Sequence, residues 1–444
     1  MKKFFVFLGT LLSLGSGAAQ AQSAYSLAQS KQLALQNNVR VRNSTLEIEA
    51  AQAQQRQART KYYPNVSALG AGLYSPKDLV SLNTPALSLP VQGGTGAETV
   101  NLPSVKYSGI NGVATASVTA LQPLYAGGQI KTGNQLAALQ TTVTQDQLVV
   151  AQQEVTLTTE QKYYQLVALD EKLRTLEAND KLLTGIYKQV NDSYKAGLVV
   201  RNDVLKVQQQ RNQLALARVQ LRNGRELALR DFCQYLGVAY DSTLTLTEVN
   251  LTVQNPQELY QDASEAVKSR PEYQLLQRST EAEKLQSRQA QGQFLPQVSV
   301  GAGAYATKIG DQDVTSSGMF LGTVSVPISG RWEAKHVRAQ REVREKIAQN
   351  NAQNNIELLT LQVQQRWLDL QEAYKRVQVT EAAMAQTQEN LKVNQDTYRS
   401  GLSTLNDLLD AQAQLQTAAD SHAEARTEYH VRRTAYRLVT DQTN

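Results

Sequence analysis

The sequence has one cysteine, three histidines and, after residue 14, no long apolar run. The single thiol, Cys233, excludes an internal disulfide, and we expect it to pack as a small residue within a helix. His336, His422 and His430 stand in no metal-ligand spacing, so neither a metal site nor a cofactor is predicted. If the mature chain enters a membrane, strands must cross it, because no segment is long enough for an apolar helix.

Motifs that carry catalytic or nucleic-acid chemistry are also scarce. The glycine-rich segment 93–96 lacks the Gly-Lys-Ser/Thr that a phosphate-binding loop requires. Acidic residues on the predicted helices alternate with Lys and Arg, which is typical of a solvated face and not of paired catalytic carboxylates. The net charge of +5 over 444 residues is diffuse, and no aromatic-spaced basic patch accompanies it. We therefore predict a protein that is not an enzyme and has no nucleic-acid partner.

The N-terminal residues have the order of a secretory signal. Lys2 and Lys3 precede an apolar stretch over 4–14, and Ala19-Gln20-Ala21 matches a cleavage site. We expect residues 1–21 to be removed and the mature chain to span 22–444. The apolar stretch is too short for a transmembrane anchor. No cysteine follows the cleavage site to accept a lipid.

The chain contains a tandem duplication. Residues 194–208 (YKAGLVVRNDVLKVQ) and 398–412 (YRSGLSTLNDLLDAQ) are identical at seven of fifteen positions, at a constant offset of 204. Pro123 and Pro327 share this offset, and each ends a strand-like run and precedes a helical one. We predict a first repeat over about 22–240 and a second over about 256–444.

The first repeat carries an insertion. Pro64 and Pro296 are offset by 232 residues, so 28 extra residues lie between Pro64 and Pro123. Segment 75–110 contains four prolines and Gly93-Gly94. We predict that it is a loop and that it contains the 28 extra residues. The matching connection in the second repeat, 311–317, is short.

Each repeat is predicted to contain two strands and a long helical hairpin. Small apolar and small polar residues alternate weakly over 64–74, 112–124, 296–308 and 317–328, as they do in membrane barrel strands. A half-buried hairpin of a soluble domain is the alternative for these segments. Helices are predicted over 128–194, 203–235, 331–398 and 403–438. The first would be about 100 Å long, more than one globular domain can hold. Its apolar face is predicted to comprise Leu166, Leu169, Leu173, Leu176, Leu183, Tyr187, Val190 and Tyr194.

Four strands cannot close a membrane barrel, which needs at least eight, so several copies of the chain must share one. Two copies would fill the barrel with side chains, whereas three would give twelve strands around a lumen. The duplicated Tyr-x-x-Gly turns, each followed by Asn-Asp and then Gln208 or Gln412, and the Pro-to-Gly junctions after Pro123 and Pro327 resemble those of the TolC-like outer membrane efflux proteins. The resemblance covers essentially the whole mature chain. It implies a fold that is mainly α with membrane β: a trimeric 12-strand barrel continued by a 12-helix periplasmic tunnel.

The same resemblance implies a function and partners. The homotrimer would be the outer-membrane exit duct of a tripartite efflux pump, passively conducting drugs, metals or other small solutes. Its partners would be a periplasmic adaptor (membrane fusion) protein, an inner-membrane transporter and outer membrane lipid. The residues expected to contact the adaptor are Tyr194, Gly197, Leu198, Gly401 and Leu402. Two alternatives stay open, namely the outer-membrane channel of a type I protein secretion system and a periplasmic coiled-coil scaffold.

Asp407 and Asp410 are spaced i, i+3 and so share one helix face. The resemblance implies that this pair lines the periplasmic aperture, where three copies would bring six carboxylates together and raise some of their pKa values. The first repeat has Asp203 but Lys206 in place of the second acid. The alternative is that Asp407 caps its helix and Asp410 faces solvent.

The resemblance also implies a polar link that holds the aperture closed, and Tyr398 and Asp203 match it. The arginine partner expected in this link is replaced by Ser403. Arg201 is the residue from which we expect a substitute ion pair.

Overall fold

The structure, a computed structural model, describes residues 24–77, 81–91, 98–108, 110–247 and 251–442. The predicted secretory signal and Gly93-Gly94 lie outside these ranges. Within them, no helix combines the length and apolarity needed to cross a membrane. The chain divides into two compact units. Unit 1 comprises residues 1–46, 146–274 and 356–444, and unit 2 comprises 47–145 and 275–355.

The described chain is predominantly helical, as predicted. Its α-helices are α1 (Leu27–Asn37), α2 (Val39–Thr60), α3 (Gln129–Lys195), α4 (Arg201–Leu236), α5 (Ala263–Ser269), α6 (Pro271–Gly292), α7 (Gly330–Arg399) and α8 (Leu405–Val439). The four long helices α3, α4, α7 and α8 begin and end within three residues of the ranges expected from the sequence. Both repeats contribute helices to unit 1 and strands to unit 2.

Unit 1 contains three clusters of buried apolar side chains. One joins α1, α3 and α4 around Tyr163 and Phe232, a second joins the ends of the two hairpins, and a third joins α5, α7 and α8. Cys233 is buried in the first cluster, which confirms the packing role predicted for it. Four residues of the predicted face of α3 are buried, namely Leu166, Leu176, Leu183 and Val190. Tyr194, at the end of that face, is exposed.

The strands are mostly antiparallel and concentrated in unit 2. They are β1 (Ala24–Tyr25), β2 (Asn65–Tyr74), β3 (Ser81–Thr84), β4 (Leu87–Val91), β5 (Glu98–Leu102), β6 (Val105–Ser108), β7 (Gly112–Ala126), β8 (Thr245–Leu246), β9 (Gln297–Ile309) and β10 (Thr315–Ser325). In unit 1, β1 pairs with β8 in parallel. In unit 2, the four longest strands form an open antiparallel sheet in the order β10-β9-β7-β2. These four overlap the ranges predicted from alternation.

The two faces of this sheet differ in chemistry. Residues directly opposite in the register share a face, since successive side chains of a strand point to opposite sides. Ala68 of β2 is opposite Val118 of β7, and Val118 is opposite Ala304 of β9. This apolar face includes Val66, Ala68, Ala116, Val118, Ala120, Ala302, Ala304, Phe320 and Val324. The opposite face carries most of the hydroxyl groups, on Ser67, Thr115, Ser117, Thr119, Thr307, Ser317 and Thr323, together with the apolar residues Leu69, Leu73, Val113, Leu121, Ile309, Met319 and Leu321.

The prediction of a loop over 75–110 was wrong in part. Two short antiparallel ladders occur there, β3 with β6 and β4 with β5. Pro90 lies within β4, opposite Thr99. A two-stranded ladder leaves one edge of each strand unpaired, so a proline is tolerated there although it cannot donate a hydrogen bond. Proline content alone therefore overstated the irregularity of the insertion.

Candidate functional site at the helical turns

The two duplicated turns share one backbone geometry. In the turn between α3 and α4, the Gly197 N–H donates to the Tyr194 carbonyl at 3.0 Å and the Leu198 N–H donates to the Ser193 carbonyl at 2.9 Å. In the turn between α7 and α8, Gly401 and Leu402 donate to Tyr398 and Thr397 at 3.1 and 2.9 Å. This is the Schellman pattern that ends a helix.

A Schellman turn explains the Tyr-x-x-Gly spacing. It requires a left-handed residue just after the helix, and Gly197 and Gly401 have φ of 72° and 73°. The next residue then projects from the turn. Leu198 and Leu402 are 78% and 81% exposed. Of the residues predicted to contact an adaptor, these two leucines have the largest exposed fractions among the apolar side chains, since Tyr194 is 41% exposed.

Asp407 is the third residue of α8 and caps that helix. The N–H and the hydroxyl of Thr404 donate to its Oδ2 at 2.9 and 2.7 Å, and the Asp407 N–H donates to Thr404 Oγ1 at 3.3 Å. These hydrogen bonds from Thr404 hold the pKa of Asp407 below its ordinary value. Asp410, one turn further on, is exposed. In the single protomer, Asp407 thus caps its helix and Asp410 faces solvent, which is the alternative given by the sequence analysis. The role of Asp407 and Asp410 in an aperture stays a prediction.

Tyr398 and Asp203 lie within electrostatic range of each other, and their role in closing an aperture stays a prediction. Tyr398 is half-buried at the end of α7, and Asp203 lies in the first turn of α4. Burial, and then the negative charge of Asp203, raise the pKa of the Tyr398 hydroxyl. No hydrogen bond joins the two among the described residues, so the contact between them is electrostatic.

The substitute ion pair expected from Arg201 does not form within the protomer. Arg201 is exposed and forms no salt bridge with a described acidic side chain. Ser403 accepts a hydrogen bond from Thr397 Oγ1 at 3.2 Å, which keeps it within its own turn. The cation that reaches across is Lys206 of α4, whose Nζ lies 3.1 Å from Asn406 Oδ1 of α8 and 3.8 Å from Asp203 Oδ1.

A buried layer of side-chain amides was also missed by the sequence analysis. Gln412 of α8 donates to the side-chain oxygen of Asn179 on α3, and Asn179 donates to the side-chain oxygen of Gln416. Gln412 is 2% exposed. The only signal was that Gln412 ends the duplicated motif, yet its counterpart Gln208 is exposed. Because both repeats have glutamine at this motif position, the sequence could not show which of the two glutamines is buried.

The described part of the chain bears on the prediction that no metal site is present. No group of three or more His, Cys, Asp or Glu side chains is arranged to hold a metal ion there. The arrangement at the turns instead combines exposed leucines with charged residues on the first turns of α4 and α8. Such a surface is suited to contact with another protein chain and to electrostatic interaction with passing ions.

The family model described as "Outer membrane efflux protein" matches residues 31–238 and 263–440. No curated protein sequence matches the chain. The solved structures that are similar to it include the following three. The outer membrane protein VceC of Vibrio cholerae is 15% identical, with a TM-score of 0.71 and coverage of 93% of this chain and 96% of that one.

The other two are outer membrane channels. CmeC of Campylobacter jejuni is 14% identical, with a TM-score of 0.73 and coverage of 93% and 85%. The open state of MtrE of Neisseria gonorrhoeae is 14% identical, with a TM-score of 0.72 and coverage of 93% and 88%. At such low identity, these similarities show a shared fold.

Proposed function

The chain belongs to the outer membrane efflux protein family, and on that premise we propose that it is one protomer of a homotrimeric exit duct in a tripartite efflux pump. It is an outer membrane protein with a periplasmic helical extension. The duct conducts solutes passively and catalyses no reaction. Energy comes from an inner-membrane transporter, and a periplasmic adaptor protein connects the two. Drugs, metals or other small solutes are the proposed cargo.

The observation that carries this proposal is the two-faced open sheet of unit 2. Its apolar face matches lipid and its hydroxyl-bearing face matches a wet lumen. Its outer strands, β2 and β10, pair with a described strand on one side only. An open edge in lipid leaves backbone groups without hydrogen bonds, at a cost of several kcal/mol for each group. Pairing β10 of one copy with β2 of the next would satisfy both edges.

Three copies give the smallest closed barrel that leaves a lumen. Eight strands from two copies would be filled by side chains, whereas twelve strands from three copies surround open space. Apolar side chains on α4 and α7 support the same assembly, because they are exposed in the protomer and would be buried between neighbouring copies. They include Leu216, Leu227, Leu358, Leu361 and Leu368. Helices α3, α4, α7 and α8 of three copies would form the 12-helix tunnel.

Fractionation tests the proposal against a periplasmic coiled-coil scaffold. The duct should stay with the outer membrane after a high-salt wash and migrate as an SDS-resistant trimer until heated. A matched pair of variants sharpens the test. Phe320→Asp places a charge on the apolar face, where Phe320 is 93% exposed, and should reduce the trimer strongly. Thr323→Asp places one on the opposite face and should be tolerated. A protein that washes off as a monomer contradicts the proposal.

The helical turns are the proposed docking tips for the adaptor. A photo-crosslinking residue at Leu198 or Leu402 should capture a periplasmic protein in cells, and mass spectrometry should identify it as an adaptor. The same residue at Leu216, which is exposed in the protomer but lies in the middle of α4 and would face a neighbouring copy in the trimer, is the control and should capture a second copy of the chain and not the adaptor. Identifying the inner-membrane transporter that works with the captured adaptor would then distinguish efflux from type I secretion. Capture of no adaptor at either leucine would contradict this part of the proposal.

A further inference from the structure

Helices α3, α6 and α7 border a groove within unit 2. Its volume is about 460 Å³, and small-molecule sites usually have volumes of about 300–1,000 Å³. Helix α6 lies between the other two helices. On the α3 side, a Cβ added to Gly133 would lie 3.7 Å from Gln289 Nε2 of α6. On the α7 side, Arg341 Nη1 donates to Gln286 Oε1 of α6 at 3.5 Å. The groove is therefore formed by a single protomer.

The lining of the groove combines an apolar wall with side-chain amides. Leu136, Leu139 and Val143 form the wall, and their spacing of three and four residues places them on one face of α3. The amides of α6 are those of Gln286, Gln289 and Gln293. An apolar wall with a few polar groups opposite it is typical of sites that bind small organic molecules.

Arg341 alone is charged among the described residues that line the groove. Its side chain is 22% exposed. A guanidinium group has five N–H donors, yet in the described chain Arg341 makes one hydrogen bond, the contact to Gln286, which is long for such a bond. Glu283 Oε2 lies 3.9 Å from Arg341 Nη1 and accepts no hydrogen bond from a described residue. Arg341 thus brings a positive charge to the groove that one loose ionic contact offsets only in part.

We propose that this groove binds amphipathic organic anions during their passage through the duct, with Arg341 as the residue that recognises the anionic group. A carboxylate or sulfonate accepts hydrogen bonds from the unused donors of Arg341, and the apolar body of the solute packs on the wall formed by α3. This inference rests on the proposed function and names one chemical class of its cargo.

The groove faces the lumen of the proposed duct. Strands β7, β9 and β10 are joined to α3, α6 and α7, and the sheet order β10-β9-β7 places α6 in the middle of the row of helices. A groove that lies over the middle helix and is bordered by both neighbours is on the concave side of that row. In a closed cylinder the concave side surrounds the lumen, so a solute in transit reaches the groove.

A series of probes with one fluorescent body tests the charge of the ligand. At neutral pH, dansylglycine is an anion, dansyl amide is uncharged and dansylcadaverine is a cation. In titrations of the purified trimer, dansylglycine should have the lowest dissociation constant of the three. Arg341→Gln should raise it about tenfold, as the loss of one charged hydrogen bond predicts, and should leave that of dansyl amide unchanged. Equal affinity of the unmodified protein for all three probes overturns the proposal.

Two further variants separate the groove from general attraction to basic surface. Arg344, one turn further along α7, is exposed and lines a different groove, so Arg344→Gln should bind dansylglycine as the unmodified protein does. Gln289→Glu keeps the shape of the lining, adds a negative charge and should weaken dansylglycine binding alone. Equal weakening in Arg344→Gln and Arg341→Gln overturns the site. If Arg341→Gln yields no SDS-resistant trimer, Gln289→Glu decides, and unchanged binding in it overturns the site.

Failure of this inference differs from failure of the proposed function. An unmodified protein that conducts in planar bilayers, together with equal dansylglycine binding in all variants, overturns the groove and leaves the duct intact. An unmodified protein that binds dansylglycine but forms no conducting channel overturns the proposed function and with it the role of the groove in transport.

Discussion

Gly127 and Gly292 touch backbone to backbone in unit 2. Gly127 follows β7 with φ of 60°, and a Cβ added to it would lie 2.0 Å from the Gly292 carbonyl oxygen. A Cβ on Gly292 would in turn lie 2.5 Å from the Gly127 carbonyl oxygen. Here the end of a strand in the first repeat meets the end of α6 in the second, and the contact leaves no room for a side chain on either residue.

Gly127→Ala should therefore destabilise the protein far more than Gly128→Ala. Both residues have positive φ, which costs an alanine about 1–2 kcal/mol. A Cβ at position 128 would lie in open space, so the cost of Gly128→Ala comes from backbone strain alone. Gly127→Ala adds a clash with backbone atoms that cannot rotate away. The difference can be measured by thermal unfolding and by the yield of the trimer that resists SDS until it is heated. Equal losses in the two variants would contradict the close contact.

The buried amide layer predicts an asymmetry between repeats. Gln412→Ala leaves the Asn179 amide oxygen without its donor in a buried site and should cost about 1–3 kcal/mol. The matched change in the first repeat, Gln208→Ala, affects an exposed side chain and should stay within about 0.5 kcal/mol. Chemical denaturation of the two variants gives the comparison. A cost at Gln208 equal to that at Gln412 would argue against the layer.

Replacing both Asp407 and Asp410 with Ala should raise single-channel conductance at least about twofold and weaken cation selectivity, because a ring of six carboxylates would be lost. Asp407 also caps α8, so its loss frays the helix as well. Thr404→Ala is the control, since it removes the cap and keeps both carboxylates. The aperture role is supported if the double variant changes selectivity and Thr404→Ala does not. Unchanged conductance in the double variant would exclude the pair as the constriction.

His430 predicts a loss of stability in mild acid. It is buried in α8, stacked on Tyr164 at 5.2 Å between ring centroids. Burial, and then the nearby charges of Arg433 and Arg426, lower its pKa from 6.5 to about 4, although a hydrogen bond with the backbone of Leu251 opposes this. The unfolded chain therefore binds a proton between these values that the folded chain does not. The contribution of His430 to the free energy of unfolding is therefore fully present above pH 6.5, and it is lost as the pH falls from 6.5 toward 4.

The loss should reach about 3 kcal/mol. His430→Phe keeps an aromatic ring for the stack and removes the titration, so its thermal midpoint should depend less on pH over this range. His336→Phe changes an exposed histidine and should leave the pH dependence unaltered. Parallel curves for the unmodified protein and His430→Phe would show that His430 does not cause the loss.

Local features were predictable from the sequence. Helix ends at the turns follow from Gly197 and Gly401, since few other residues adopt the left-handed conformation that the Schellman turn needs. Strand ranges follow from alternation, and the predicted face of α3 from the spacing of its leucines. Each of these depends on neighbours only a few residues away. The error at 75–110 has the same origin, because proline content was counted without the pairing of distant segments that makes β3 to β6 into ladders.

The amino-acid sequence by itself determined the duplication, the helical hairpins with their glycine turns, the two-faced character of the strands and the family resemblance. Only the tertiary structure decided that β7 pairs with β9 across the repeats, that Gln412 and not Gln208 is buried, and that Lys206 and not Arg201 reaches the second hairpin. The reason is physical. Short-range sterics and hydrogen bonds set backbone conformation, whereas the partner of a side chain depends on which faces meet after about 200 residues of intervening chain have folded.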